Sequence, residues 1–143
     1  MKKKKILVVD GQGGGFGLTI IKELKKEFAE NFEIIGIGTN SLATLAMLEA
    51  GANKGATGEN SIICNVADAD YIIGSISIIM ANSMLGELTE KMASAISSAK
   101  GKKILIPITQ ENILITCQKK EPLPHHVKDL IAIIKNLEGI SNV

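Results

Sequence analysis

The sequence contains no arginine and no tryptophan, and each absence excludes a kind of site. All 16 basic residues are lysines, so a cationic contact with phosphate or carboxylate is a lysine point charge and not an arginine fork. Aromatic residues make up 3% of the chain, which leaves little surface for stacking against bases. We therefore expect an aliphatic core.

A strong net charge and a long apolar run are also missing. The formal net charge is +1, so no overall field attracts nucleic acid or an anionic membrane, and neither is expected as a partner. No run reaches about 18 apolar residues, so neither a signal peptide nor a membrane span is expected. Cys64 and Cys117 are unclustered, which favours buried thiols in a protein of the reducing cytoplasm.

Apolar runs alternate with helical spacing along the 143 residues, a length that fits one domain, residues 1–143. Strands are predicted at 5–9, 32–37, 70–74, 103–108 and 112–117, and helices at 15–29, 41–50, 85–99 and 127 to about 139. Residues 51–58 are predicted as a loop, and 59–66 fit either a short helix or a short strand. Ser41 is the predicted N-cap of its helix, in which Leu42, Leu45 and Leu48 share one face.

The alternation of strands and helices predicts an α/β fold. We expect a Rossmann-like three-layer sandwich, with a mostly parallel sheet covered by helices on both faces. The gap between the strands at 103–108 and 112–117 allows a hairpin but is too short for a parallel crossover. The C-terminal strand is therefore predicted to run antiparallel.

A glycine-rich turn follows the first strand. It reads Asp10-Gly11-Gln12-Gly13-Gly14-Gly15-Phe16-Gly17 and leads into a helical pattern. Strand, glycine turn and helix N-terminus together form an anion site, because backbone N–H groups and the helix dipole face whatever the glycines admit. We predict that the turn binds the phosphates of a nucleotide; the alternatives are an unrelated anion or a tight turn with no ligand. A Walker loop is excluded, because no Lys-Ser/Thr pair follows the glycines.

The spacing of Gly11, Gly15 and Gly17 is G-x-x-x-G-x-G, which resembles the cofactor loop of the short-chain dehydrogenase/reductases. Asp10 stands where that family usually has threonine. The resemblance implies that Gly11 makes the turn, that Gly15 and Phe16 approach a pyrophosphate, and that Gly17 allows the helix to pack closely on the sheet.

The active site of those reductases needs Tyr-x-x-x-Lys, and this chain lacks it. Tyr71 is the only tyrosine, and Ser75 follows it four residues later. Reductase chemistry by that constellation is excluded, and Tyr71 is predicted to be an ordinary strand residue.

The end of the second strand is where a dinucleotide places its adenosine ribose. NAD-binding proteins usually have Asp or Glu there, but this chain reads Thr39-Asn40-Ser41. These groups could donate to a 2′-phosphate, with Lys54 nearby, which favours NADP slightly over NAD. The alternative is that Ser41 only caps a helix and Thr39 only turns the chain.

Small polar residues follow the strands that should border this ligand. Gly74 and Ser75 end the strand expected beside the first one, at the edge where open α/β sheets bind ligands. If the protein is an enzyme, its acid/base candidates are Glu59 and Glu87 and its substrate donors are Asn82 and Ser83; capping is the alternative role of all four. His125 and His126 lack a second pair of ligands at metal spacing, so no metal site is expected.

Several stretches together resemble a bacterial family of small proteins described as domain of unknown function 3842. They are Asp-Gly-Gln-Gly-Gly-Gly at 10–15, Gly-Thr-Asn at 38–40, Gly-Ala-Thr-Gly-Glu-Asn at 55–60, Ala-Asn-Ser-Met-Leu-Gly-Glu at 81–87 and Ile-Leu-Ile-Pro at 104–107. The resemblance implies a Rossmann-like domain without an assigned activity. Ser75 stands where proline is expected in that family.

Two classes of function remain open. The first is a nucleotide-binding module, for NADP or NAD, that senses or carries the cofactor or serves a partner enzyme. The second is a small enzyme whose substrate lies over residues 74–87; a binder of a non-nucleotide metabolite is a third option. A homo-oligomer is also expected, from the apolar residues Ile76, Ile78, Ile79, Met80 and Met84. The predicted cofactor-binding residues are Gly11, Gln12, Gly13, Gly14, Gly15, Phe16, Gly17, Thr39, Asn40, Ser41, Gly74 and Ser75.

Overall fold

Strands and helices alternate along the chain in a computed structural model that describes residues 2–12 and 15–140. The strands are β1 (Lys4–Asp10), β2 (Phe32–Gly38), β3 (Lys54–Thr57), β4 (Tyr71–Ser75) and β5 (Lys102–Ile106). The helices are α1 (Gly15–Phe28), α2 (Ser41–Glu49), α3 (Glu59–Val66), α4 (Glu90–Ser98) and α5 (Leu123–Glu138), and a short 3₁₀ helix covers Ile76–Ile79.

The five strands form one sheet in the order β3-β2-β1-β4-β5. Every neighbouring pair is parallel. β1 and β2 pair in register along their whole length, from Lys4 opposite Phe32 to Asp10 opposite Gly38. The residues that follow these two strands therefore meet at one edge of the sheet. The predicted α/β class is confirmed.

The sheet buries aliphatic side chains on both faces, as a three-layer sandwich requires. Along β1, Ile6 and Val8 enter one cluster together with residues of α1 and α5. Leu7 and Val9 enter the opposite cluster with residues of α3 and α4. The central strand is therefore covered on both sides, which explains its uninterrupted apolar run.

The predicted antiparallel strand at 112–117 is wrong. These residues lie in an exposed, irregular segment between β5 and α5. The segment just before them crosses the sheet edge instead of turning back along β5: Thr109 hydrogen-bonds to Ser77 at 2.6 Å, and Glu111 accepts from the backbone N–H of Met84 at 3.0 Å. These two bonds hold residues 109–111 away from the hairpin path.

Between β2 and β4, one short element differs from the expectation and a second takes one of its two expected forms. Residues 54–57, predicted as loop, form the edge strand β3, whose Lys-Gly-Ala-Thr sequence has no apolar run because it is largely exposed. Residues 59–66, which fitted a helix or a strand, form the helix α3.

The predicted N-cap of α2 is wrong. Asn40, not Ser41, is the N-cap, and its side chain accepts from Ala43 N–H at 2.9 Å. The leucines at 42, 45 and 48 do share a face, but that face is exposed, with accessible fractions of 71%, 52% and 41%. Met47 is buried instead, because Gly17 and Gly36 leave room for its side chain.

Helix α4 begins at Glu90, five residues later than predicted. Asn82, Met84, Leu85 and Gly86 have φ between 57° and 90°, a left-handed conformation that cannot continue a right-handed helix. Leu85 is 98% exposed and does not share the buried face of Leu88 and later residues. Thr89 caps the helix through its hydroxyl, which accepts from Met92 N–H at 3.2 Å.

Two expectations about surface residues are also corrected. Cys64 and Cys117 are both exposed free thiols, not buried ones. Ile78 is fully buried, and Ile79 and Met84 pack against the core, so the apolar residues at 76–84 form less free surface than their sequence predicts. Within the described residues, no helix combines the length and apolar character that crossing a bilayer requires.

Candidate functional site

A cavity of about 840 Å³ lies at the carboxyl ends of β1, β4 and β5. This is the edge at which open α/β sheets bind their ligands. Four described segments enclose it: residues 10–12 with the start of α1, the residues after β4, the segment after β5, and the start of α5. The described lining residues are Asp10, Gly11, Gln12, Gly15, Phe16, Ser75, Ser77, Asn82, Met84, Leu85, Ile108, Thr109, Gln110, Glu111 and Leu123.

The Asp10 carboxylate accepts backbone hydrogen bonds from both ends of the glycine turn. One carboxylate oxygen accepts from the N–H of Gly11 at 2.8 Å, and the other accepts from the N–H of Gly17 at 2.6 Å. Burial of this side chain, which is 5% exposed, raises the pKa of Asp10, and the two N–H bonds oppose that rise. A carboxylate therefore already uses one N–H group in the first turn of α1. Gly13 and Gly14 lie outside the described residues.

The three described glycines of the G-x-x-x-G-x-G pattern have different surroundings. A Cβ on Gly11 would lie 2.5 Å from Met84 Sδ and 2.5 Å from Thr39 Oγ1. A Cβ on Gly17 would lie 2.6 Å from Sδ of the buried Met47, so packing favours glycine there, whereas the side chains that a Cβ on Gly11 would meet could shift. A Cβ on Gly15 would meet no described atom within 4 Å, although this residue lines the cavity.

Hydrogen bonds connect the segments that line the far side of the cavity. The Ser75 hydroxyl donates to the carbonyl of Ile108 at 2.8 Å and accepts from Ser77 N–H at 3.0 Å. Ser77 Oγ and Thr109 Oγ1 are 2.6 Å apart. The residues after β4 and after β5 are thus fixed to one another, which makes this wall of the cavity well defined.

A second polar cluster lies beside the turn, at the end of β2. Glu87 accepts from Thr39 Oγ1 at 2.7 Å and from Asn40 Nδ2 at 2.9 Å, and these two bonds lower the pKa of Glu87. Ser41 is exposed and is the first residue of α2. Lys54, predicted to lie near a 2′-phosphate, pairs with Glu33 at 3.0 Å.

Three other predicted site residues have internal partners. Gly74 allows close packing, because a Cβ there would lie 2.7 Å from the carbonyl oxygen of Val9. The buried Ser83 hydroxyl donates to the carbonyl of Ser77 at 2.6 Å. Glu59 accepts from Thr89 Oγ1 at 2.6 Å and so links the starts of α3 and α4.

Sequence reasoning missed the contribution of the segment after β5. Thr109, Gln110 and Glu111 line the cavity, and Thr109 is hydrogen-bonded to Ser77. The sequence could have indicated this, because residues that follow a strand beside the central pair lie at the same edge of the sheet. The predicted hairpin placed residues 109–111 in a turn, so they were not considered as part of the site.

The contacts of Tyr71 and His125 account for both residues without a catalytic or metal-binding role. Tyr71 begins β4, at the amino end of the sheet, which confirms it as a strand residue, and its partly buried hydroxyl donates to Glu138. His125 pairs with Glu121 at 2.8 Å. Within the described part of the chain, no group of three His, Cys, Asp or Glu side chains could hold a metal ion.

Comparison with known proteins identifies one family. The family model DUF3842, described as a domain of unknown function, matches residues 5–139. No curated protein and no solved structure gives a significant match to the chain.

Proposed function

This chain belongs to the DUF3842 family, and we propose that it binds a nucleotide cofactor, NAD or NADP, at the carboxyl edge of its sheet. The pyrophosphate lies over the glycine turn and the N-terminus of α1. The adenosine ribose lies by Thr39 and Asn40, and the rest of the ligand extends into the cavity toward Ser77 and Thr109.

The observation that carries this proposal is the open space at Gly15. No described atom lies within 4 Å of a Cβ placed on Gly15, so among the described residues no packing contact requires glycine at this position. Its Cα faces a cavity at a helix N-terminus, where a side chain would hinder a phosphate from approaching the backbone. A ligand explains a glycine that no packing contact among the described residues requires.

Asp10 sets a limit on the affinity of this site. Its carboxylate is fixed by the N–H groups of Gly11 and Gly17, so a negative charge lies below the position proposed for the pyrophosphate. Like charges repel more strongly where water is excluded. We therefore expect weaker binding than in a loop with threonine at this position.

The alternative of a small enzyme has less support. Among the described residues, neither predicted acid/base group lines the cavity, since Glu59 is bonded to Thr89 and Glu87 to Thr39 and Asn40. A non-nucleotide anion at the glycine turn remains the simplest competing ligand.

A thermal-shift panel tests the proposal. NAD, NADP, their reduced forms, ATP, GTP, FMN and S-adenosylmethionine are compared on the wild type, on Gly15→Val and on Lys22→Val, which places the same side chain on the exposed surface of α1. A ligand at 100 times its dissociation constant stabilises by about 2.7 kcal/mol, which for this size raises Tm by roughly 5–11 °C. We expect that shift for a dinucleotide in the wild type and in Lys22→Val, and its loss in Gly15→Val. An equal shift in all three proteins would contradict the proposed site.

Two further parts of the proposal concern assembly and location. The exposed leucines of α2, at 42, 45 and 48, offer an apolar surface for a homo-oligomer. A molecular mass in light scattering that stays monomeric at every concentration would contradict the proposed homo-oligomer.

The two exposed thiols fit a reducing compartment such as the cytoplasm.

A further inference from the structure

We propose that Glu87 accepts hydrogen bonds from the hydroxyls of the ligand's adenosine ribose, and that it thereby selects NAD over its 2′-phosphorylated counterpart NADP. This inference rests on the proposed function of the glycine turn. It reverses the slight preference for NADP that the residues after β2 predict from sequence, because the acid is supplied by a distant loop.

The Glu87 carboxylate lies where an acid of the β2 terminus would lie. In the register of the sheet, Gly38 at the end of β2 is opposite Asp10 at the end of β1. The next residue, Thr39, donates its N–H to the carbonyl of Asp10 at 2.9 Å. Because Glu87 is bonded to Thr39 Oγ1, its charge adjoins the glycine turn on the side where the ribose is expected.

The geometry of this carboxylate is fixed by a capped helix. Asn40 Oδ1 accepts from Ala43 N–H at the start of α2, so the Asn40 amide group must direct Nδ2 toward Glu87. Both Thr39 and Asn40 donate to the same oxygen, Oε1. The second oxygen of this exposed side chain has no hydrogen-bond partner among the described residues, and a ribose hydroxyl could donate to it.

The same arrangement opposes a 2′-phosphate. Thr39 and Asn40, the donors that could bind a phosphate, are already engaged by a carboxylate. Lys54 is paired with Glu33, and among the described residues no ion pair neutralises Glu87. A phosphate placed here would face an uncompensated like charge, which disfavours binding.

The loop that carries Glu87 also lines the cavity. Asn82, Met84 and Leu85 contribute to the cavity wall, while Met84 Sδ lies against Gly11. A dinucleotide that spans both sides of the glycine turn would contact this one loop at both of its ends. Recognition of the ribose by Glu87 therefore belongs to the same binding surface as the cavity.

Titration calorimetry with NAD and NADP on the wild type, Glu87→Gln and Glu90→Gln tests the inference. Glutamine at 87 can still accept from Thr39 and Asn40 through its carbonyl oxygen, so the variant removes the charge and keeps the loop attached. Glu90→Gln removes a charge from the exposed first turn of α4. Unfolding of each variant without ligand checks that the fold is intact.

We expect the wild type to bind NAD about 100-fold more tightly than NADP, the size of effect typical for a charged hydrogen bond gained or opposed. Glu87→Gln should weaken NAD and tighten NADP, which brings the ratio below about 10, and Glu90→Gln should match the wild type. Opposite changes for the two ligands cannot come from a loosened loop. A wild type that binds both equally, or a ratio unchanged in Glu87→Gln, overturns the role of Glu87 but leaves the proposed function standing. If neither dinucleotide binds the wild type, both proposals fail.

Discussion

Alanine at Gly17 should destabilise the fold, whereas alanine at Gly15, two residues earlier, should not. A Cβ at Gly17 would lie 2.6 Å from Met47 Sδ, 2.8 Å from Met47 Cγ and 3.1 Å from Asp10 Cβ. Met47 is fully buried and is also limited by Gly36, where a Cβ would lie 2.8 Å from Met47 Cβ. The methionine therefore has little space into which it can move.

The magnitude follows from two opposing contributions. Overpacking a close contact of this kind costs about 1–3 kcal/mol, and replacing glycine by alanine in a helix recovers up to about 1 kcal/mol. Gly17→Ala should therefore lower the free energy of unfolding by up to about 3 kcal/mol, and this free energy should lie about 1–3 kcal/mol below that of Gly15→Ala. Gly15→Ala has only the favourable contribution, because no described atom lies within 4 Å of its Cβ.

Urea unfolding of the two variants and the wild type measures the difference, provided that the m-values agree. Adding Met47→Val to Gly17→Ala should recover part of the loss, since the smaller side chain vacates the contact, and a double-mutant cycle gives the coupling between the two sites. Equal stability of Gly15→Ala and Gly17→Ala, or additivity of the Gly17 and Met47 changes, would refute the packing argument.

Burial raises the pKa of Asp10 above its ordinary value of 3.8, so the stability that Asp10 contributes is full below pH 3.8 and is lost as the pH rises through its folded-state pKa. The free energy of unfolding of the wild type, measured relative to Asp10→Asn, should therefore fall as the pH rises through that range. A rise in this difference would contradict the prediction. Thr89→Val removes the hydroxyl that caps α4 and should cost about 1 kcal/mol in urea unfolding; no change would show that the cap is dispensable. Cys64 and Cys117 are exposed, so a thiol reagent should label both in the native protein, and protection of either until unfolding would contradict its position.

The central strands could be predicted from sequence because burial on both faces requires apolar residues at consecutive positions. β1 and β4 read as continuous apolar runs, since their side chains enter both core clusters. β3 has no such apolar run, because this edge strand of four residues is mostly exposed. The strand predicted at 112–117 failed for the opposite reason: its apolar residues are exposed, as Leu114 at 96% shows.

The candidate site was only partly predictable, because its decisive contacts join distant residues. The glycine-rich stretch is continuous in the sequence and directly follows β1, which ends at Asp10. The bond from Thr39 to Glu87 spans 48 residues, and that between Ser77 and Thr109 spans 32. No local pattern shows that Glu87 lies beside β2, and so the sequence appeared to lack an acid at that point.

An amide NMR titration of isotope-labelled protein with NAD tests most directly whether the glycine turn binds a nucleotide. The amide signals of Gly15, Phe16 and Gly17 should move together with those of Thr39 and Asn40, and all five should saturate with one dissociation constant. The same titration of Gly15→Val should leave these signals in place. Saturating changes confined to other parts of the sheet, or none at millimolar NAD, would contradict the proposed nucleotide site.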